Sequence, residues 1–249
     1  MLKKAAAFFC AVLIAVFAAA ETLEQRFPPP QGFTRVEAEP GSFAAYLRSL
    51  PLKPAGSYVK YYDGLEKYNP GVYAAVVDMP ISPKDLQQCA DAVMRLRGEY
   101  LFAQKRFDEI KFDFVSDGKP RYFKDYAKGD YSYAKFLKYM DYVFEFANTT
   151  SLYKQLNAVA DFNDMKPGDV FVQTPNGARR YGHAEIVVDA AVSEDGKKVY
   201  MLAQSYMPAQ ETQILQNPLN KKLSPWYELK DGAVNTPEWV FYPQDLRRF

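Results

Sequence analysis

The amino-acid sequence predicts an α+β fold, and three observations carry that expectation. Helix-like apolar spacing concentrates before residue 160, strand-like runs concentrate after residue 169, and Asp195-Gly196 sits between two of those runs as a hairpin turn. The chain has 249 residues, 48% hydrophobic and 24% charged, the range of a soluble globular protein with one large domain, or one domain and an appendage. Such a length buries a core without disulfides. Lys and Arg total 31 against 30 Asp and Glu, a formal charge of +1, so no basic field exists to recruit nucleic acid.

The elements follow in order. Lys3 and Lys4 precede an apolar run, 5–20, that is shorter than the about 20 residues of a bilayer span and closes on Ala18, Ala19 and Ala20. That is the pattern of a cleavable signal peptide over 1–20. It predicts a periplasmic or secreted protein with no integral membrane segment after cleavage, because the Pro-rich stretch 21–32 carries no stop-transfer pattern. Cys10 lies inside the apolar run, not at its end, so a lipid-modified cysteine is not expected.

Residues 21–80 read as an N-terminal extension. Ser42 is placed to cap a short helix over 42–50, with Phe43, Tyr46, Leu47 and Leu50 on one face. The strand-like runs 56–62 and 72–79, joined by turn residues, predict a hairpin. The main domain is expected over 81–249. Ser82-Pro83-Lys84-Asp85 looks like a cap, a proline at the first helical position and an early carboxylate, which predicts a helix from 83 to about 106 with Cys89 nearly two turns inside. Residues 110–115 alternate as a strand, and the tyrosine-rich stretch 117–131 reads as irregular. Apolar spacing at Phe136, Leu137, Met140, Val143, Phe144 and Ala147 marks an amphipathic helix, and 151–159 another. The turn Lys166-Pro167-Gly168-Asp169 launches a strand over 170–173. Strands over 182–189 and 199–206 flank the hairpin turn, and 238–242 is the expected final strand.

Chemistry is constrained by scarcity. Loss of the leader removes Cys10, leaving Cys89 as the single thiol and excluding an internal disulfide. His183 is the only imidazole. A structural zinc site lacks enough ligands, no Gly-x-Ser-x-Gly elbow supports a serine hydrolase, and neither a Gly-x-Gly-x-x-Gly nor a phosphate-binding loop supports a nucleotide. No cofactor and no metal is expected; Asp164, Asp169 and Asn163 read as turn residues.

Gln88-Cys89, Pro167-Gly168-Asp169-Val170, Gly182-His183-Ala184-Glu185-Ile186-Val187 and Gln204 occur in an order that resembles the secreted papain-like cell-wall hydrolases, the CHAP-type amidases and their NlpC-type relatives. That resemblance implies papain-like helices packed on an antiparallel sheet, with Cys89 as nucleophile, His183 as base and Gln204 orienting the imidazole. A closer resemblance is to exported bacterial proteins known as the domain of unknown function number 4846. It rests on the run from Asp85 to Arg97 around Cys89, on Gly182-His183-Ala184, on the run from Leu202 to Gln210 and on Ser224-Pro225-Trp226-Tyr227. It spans nearly all of the mature chain and implies no established activity.

In a thiol hydrolase a neighbouring imidazole and the positive end of a helix make the thiolate available, and a polar third group fixes the imidazole tautomer. Glu185 and Tyr206 stand beside Gln204 as candidates for that third group, and Gln88 or a backbone amide near Cys89 for the oxyanion donor. If Asp195-Gly196 is a two-residue turn, opposing residue numbers sum to 391. Gln204 then shares the face of His183 but lies four residues out of register, about 13 Å away, unless a bulge or strong coiling intervenes. The expected function is an exported cysteine amidase or peptidase acting on cell-envelope amide bonds, with peptidoglycan or a peptide as substrate. The competing reading is a non-catalytic envelope binding or structural protein. Leu86, Cys89, Val93, Leu96 and Tyr100 form a helical stripe in which Cys89 is inert core, and the aromatic 16% of the chain supplies a contact surface.

Overall fold

The computed structural model describes residues 20–69, 71–229 and 232–249. All but the last residue of the expected signal peptide lies outside them. Six helices are present among the described residues: α1 (Leu23–Arg26), α2 (Phe43–Arg48), α3 (Cys89–Ala103), α4 (Phe123–Ala127), α5 (Tyr133–Phe146) and α6 (Thr149–Gln155). The strands are β1 (Phe33–Arg35), β2 (Tyr73–Val76), β3 (Lys111–Asp113), β4 (Pro120–Tyr122), β5 (Asn157–Ala158), β6 (Val170–Gln173), β7 (His183–Ser193), β8 (Lys198–Gln204), β9 (Gln213–Leu215), β10 (Trp226–Tyr227), β11 (Val234–Asn235), β12 (Val240–Phe241) and β13 (Leu246–Arg248). Helices and a large antiparallel sheet make this an α+β protein.

The main sheet has nine strands, running β2-β9-β8-β7-β6-β13-β5, with β1 added to β7 and β10 added to β8. Strand alternation gives it two buried faces. Val170, Val172, Ala184, Ile186, Val188 and Ala203 pack in one cluster with Val93, Met94 and Leu96 of α3 and Phe136 and Met140 of α5. Phe171, Val187 and Leu202 point the other way, into a cluster with Val59, Val72, Val76, Phe241 and Leu246. The second face is therefore covered by segments from both ends of the chain. No helix among the described residues is long and apolar enough to cross a membrane.

Several elements differ from expectation for identifiable reasons. The hairpin expected between 56–62 and 72–79 does not form. Instead Val76 pairs with Gln213 in a β2–β9 ladder, and the 56–62 stretch makes only isolated bridges, Lys60 to Glu66 and Tyr61 to Gln210. The long turn-rich connection leaves the strand over 73–76 free to find its partner near the other end of the chain. Within 117–131, expected to be irregular, Pro120–Tyr122 pairs with Lys111–Asp113 and α4 follows. A strand at the C-terminus escaped the sequence reading: Leu246 pairs with Phe171 and Arg247 with both Val170 and Ala158.

The largest correction concerns α3, which begins at Cys89 and not at Pro83. The Asp85 carboxylate does not cap a helix; its Oδ1 accepts the Ala209 N–H at 2.7 Å and the Gln88 side-chain amide at 3.1 Å. Before α3, the Leu86 N–H donates to Lys84 O and the Gln88 N–H to Leu86 O, tight non-helical turns, and helical bonding opens with the Ala92 N–H on Gln88 O; Asp91 Oδ2 accepts the Gln88 N–H at 3.0 Å, the reciprocal half of a capping box.

Candidate active site

Three chain segments meet where α3 crosses the sheet. Cys89 is the first residue of α3, His183 the first of β7 and Gln204 the last of β8. Because the helix starts at Cys89, the sulfur stands at its positive end, beside backbone N–H groups that have no acceptor within the helix. A reading that buries Cys89 two turns deep does not apply.

The register brings Gln204 to His183. Ser193 and Lys197 close a three-residue loop with Gly196 at φ +81°, so pairs beyond it sum to 390 and not 391. A bulge between Val187 and Asp189 then shifts the sum to 389, as in Ile186 opposite Ala203. One step further along, Gln204 faces Glu185, diagonal to His183. Gln204 Oε1 lies 2.8 Å from His183 Nε2. The bulge that the sequence reading required is present.

Glu185, an alternative third residue, is also close: its Oε1 is 3.5 Å from the same Nε2 and accepts the Thr236 hydroxyl at 2.8 Å. Tyr206, the other alternative, lies edge-on to the imidazole with ring centres 4.9 Å apart. Trp239 and Phe241 complete an aromatic wall at 5.0 and 5.8 Å, and the Trp239 indole N–H donates to Gln173 Oε1 at 2.8 Å. The Gln88 side-chain amide is turned to Asp85, so of the two expected oxyanion-donor candidates only the first-turn backbone amides face away from that contact.

Sequence reading missed the next layer. Gln204 Nε2 donates to Glu238 Oε2 at 2.7 Å, and the Lys67 ammonium reaches that same oxygen at 2.7 Å. Lys67 is buried, which lowers its pKa against the pull of Glu238. Neither residue belongs to a motif, and their pairing spans most of the chain.

Electrostatics couple the thiol and the imidazole. Burial is the largest influence on His183 and disfavours its charge, but the Cys89 sulfur and the Glu185 carboxylate together outweigh it and raise the pKa from 6.5 to about 10. Cys89 acts on the ring both as a charge and as a loose hydrogen-bond partner, while Nδ1 makes no full hydrogen bond. Burial also raises Glu185, and raises Asp91, in the first turn of α3, to about 8.

Cys89 is 5% exposed and His183 1%. A pocket of about 170 Å³ reaches Cys89, walled by Asn148 and Thr149 of the α6 start, Pro175, Tyr181 and Gly182 of the β6–β7 connection, and Met207. Gly182 is required there: a Cβ would stand 2.3 Å from Gln173 O and 2.4 Å from Thr149 Oγ1. Chemically, the arrangement can hold a sulfur nucleophile beside a proton carrier whose far nitrogen is anchored.

Compared with known proteins, the chain matches one family model, described as Domain of unknown function (4846), over residues 23–131 and 117–248. No curated protein and no solved structure matches it.

Proposed function

The chain belongs to the family described as Domain of unknown function (4846), and on the site that this membership leaves unexplained we propose that it is a thiol hydrolase cleaving an amide or peptide bond of the cell envelope. The observation that carries this reading is the packing of the helix that opens on Cys89 against the strand that opens on His183, with the sulfur acting on the ring, Nε2 anchored on Gln204 at 2.8 Å and Nδ1 left without a full hydrogen bond. The proposal includes a papain-like arrangement: a helix that opens on the thiol, packed on an antiparallel sheet whose strand opens with the imidazole and whose neighbouring strand ends on the amide. The leader-like N-terminus supports an envelope substrate.

In this mechanism the Cys89 sulfur passes its proton to His183 Nδ1 and attacks the scissile carbonyl, and the first-turn N–H groups of α3 receive the developing oxyanion. The C–N bond breaks as the His183 imidazolium gives its Nδ1 proton to the leaving amine, forming a thioester. Water then attacks the thioester with His183 Nδ1 accepting its proton, releasing the acid and restoring the thiol–imidazole pair. Gln204 keeps the ring oriented through both steps.

The test is incubation of the mature protein with purified peptidoglycan fragments, reading new amine termini by mass spectrometry. Cleavage that Cys89→Ala and His183→Ala each abolish supports the reading; no cleavage, or equal cleavage by either variant, sinks it. The 5% exposure of Cys89 favours a second reading, a non-catalytic envelope-binding protein with an inert thiol. Iodoacetamide separates the two, since modification of Cys89 only after denaturation supports the binding protein.

A further inference from the structure

We propose that Glu238, held by Lys67, is the positioning residue that fixes the His183 tautomer through the Gln204 amide. An ionised carboxylate only accepts hydrogen bonds, whereas an amide has an accepting oxygen on one side and a donating NH₂ on the other. Glu238 Oε2 takes the Lys67 ammonium and the Gln204 side chain, each at 2.7 Å. With the cation on that oxygen, Gln204 must present its NH₂ to Glu238. Its oxygen is thereby turned toward His183 Nε2, 2.8 Å away.

An acceptor facing Nε2 requires Nε2–H. In the neutral ring the lone pair then resides on Nδ1, the nitrogen with no full hydrogen bond and the one that must exchange a proton at the sulfur. Were the Gln204 amide reversed, two acceptors would face each other at Glu238 and a donor would face Nε2, moving the ring proton to Nδ1. The titratable groups against the ring are Cys89, Glu185 and Tyr206. Glu185 Oε1, 3.5 Å from Nε2 and already bonded to Thr236, acts in the same sense over a longer distance. The catalytic consequence rests on the thiol hydrolase reading; the tautomer itself does not.

A chain with one histidine allows a direct test, because ring nitrogen-15 NMR reports only His183. Cys89→Ala removes the sulfur that favours the charged ring, so the neutral tautomer can be read. The expected result is a preference for Nε2–H of about tenfold, the equilibrium worth of one net hydrogen bond. Adding Glu238→Gln frees the amide to reverse and should reduce that preference to near parity. Gln204→Met in the same background should do likewise while leaving the Lys67–Glu238 pair intact. An unchanged Nε2–H preference in the Glu238→Gln form overturns the proposal, and loss in the Gln204→Met form alone assigns the role to Gln204 without Glu238. None of these readings needs activity, so failure of the hydrolase proposal is separately visible. If the chain proves active, Glu238→Gln with Cys89 intact should lower kcat and leave KM unchanged.

Discussion

His183 holds two opposed influences in one ring: burial expels its charge, and the Cys89 sulfur with Glu185 retains it, to the point that its pKa rises to about 10. If the imidazole assists the sulfur, removing the ring must slow the sulfur's reaction with an electrophile. Iodoacetamide labelling of the native protein at neutral pH should therefore be faster in wild type than in His183→Ala. Superimposable time courses would show that the ring does not act on the sulfur. Any amidase activity should be lost in Cys89→Ala and in His183→Ala, and the double variant should be scarcely slower than either, since such groups act as a unit. Cys89 and His183 were legible in the sequence because the chain holds one histidine and only one cysteine outside the leader-like run, and Gln204 through the family resemblance alone. Glu238 and Lys67 were not, because an isolated acid and base acquire meaning only when folding brings them to one oxygen atom.

At the scale of the element, the start of α3 decides whether Cys89 is core or site. Ser82-Pro83 is a sound start signal that the Asp85 carboxylate diverts by bonding Ala209 across the chain, so local rules placed the helix one and a half turns early. The β7–β8 register was misplaced by two residues for equally local reasons, one in the loop and one at the bulge. Asp91, inside the first turn of α3, gives a pH test of the structure. Its folded pKa is raised from 3.8 to about 8, mainly by burial. Between those values the folded chain holds a proton that the unfolded chain has released, so on this residue's account stability falls as pH rises through the window. Asp91→Asn keeps an oxygen for the Gln88 N–H and removes the titration. Urea denaturation should show the variant gaining on wild type from about pH 4 to about pH 8 and levelling off above; a constant difference would mean that the carboxylate is ionised in the fold. Gly182→Ala probes the strand on the other side of the site. Its Cβ meets a backbone oxygen that cannot yield cheaply, and overpacking of this kind costs about 1–3 kcal/mol.

Across the whole molecule, both ends of the chain build the centre. The segregation of helical from strand-like patterns made the α+β class readable, but not the partners of the first strands, which lie far along the sequence: β1 pairs with β7 and β2 with β9. The same segment supplies two guanidiniums to the fully buried Asp189, Arg35 at 2.7 Å and Arg48 at 2.6 Å, as well as Lys67 to the site. At the other end, Arg248 grips buried Asp169 with two bonds of 2.6 and 2.7 Å, and the β11–β12 connection delivers Glu238. Residues 21–80 thus contribute structure that the sheet cannot replace. A chain beginning at residue 81 would expose the β9 edge and strip Asp189 of both its cations and of the β1 and α2 cover over β7. It should show no cooperative urea transition, whereas a chain beginning at residue 21 should show one. In the full chain, Asp189→Ala leaves two guanidiniums unpaired and should cost about 3–5 kcal/mol, as breaking a buried ion pair by removing one partner does. A cooperative transition in the truncated form, or a loss below about 1 kcal/mol in Asp189→Ala, would show that the first 80 residues are an attachment to the sheet and not part of its support.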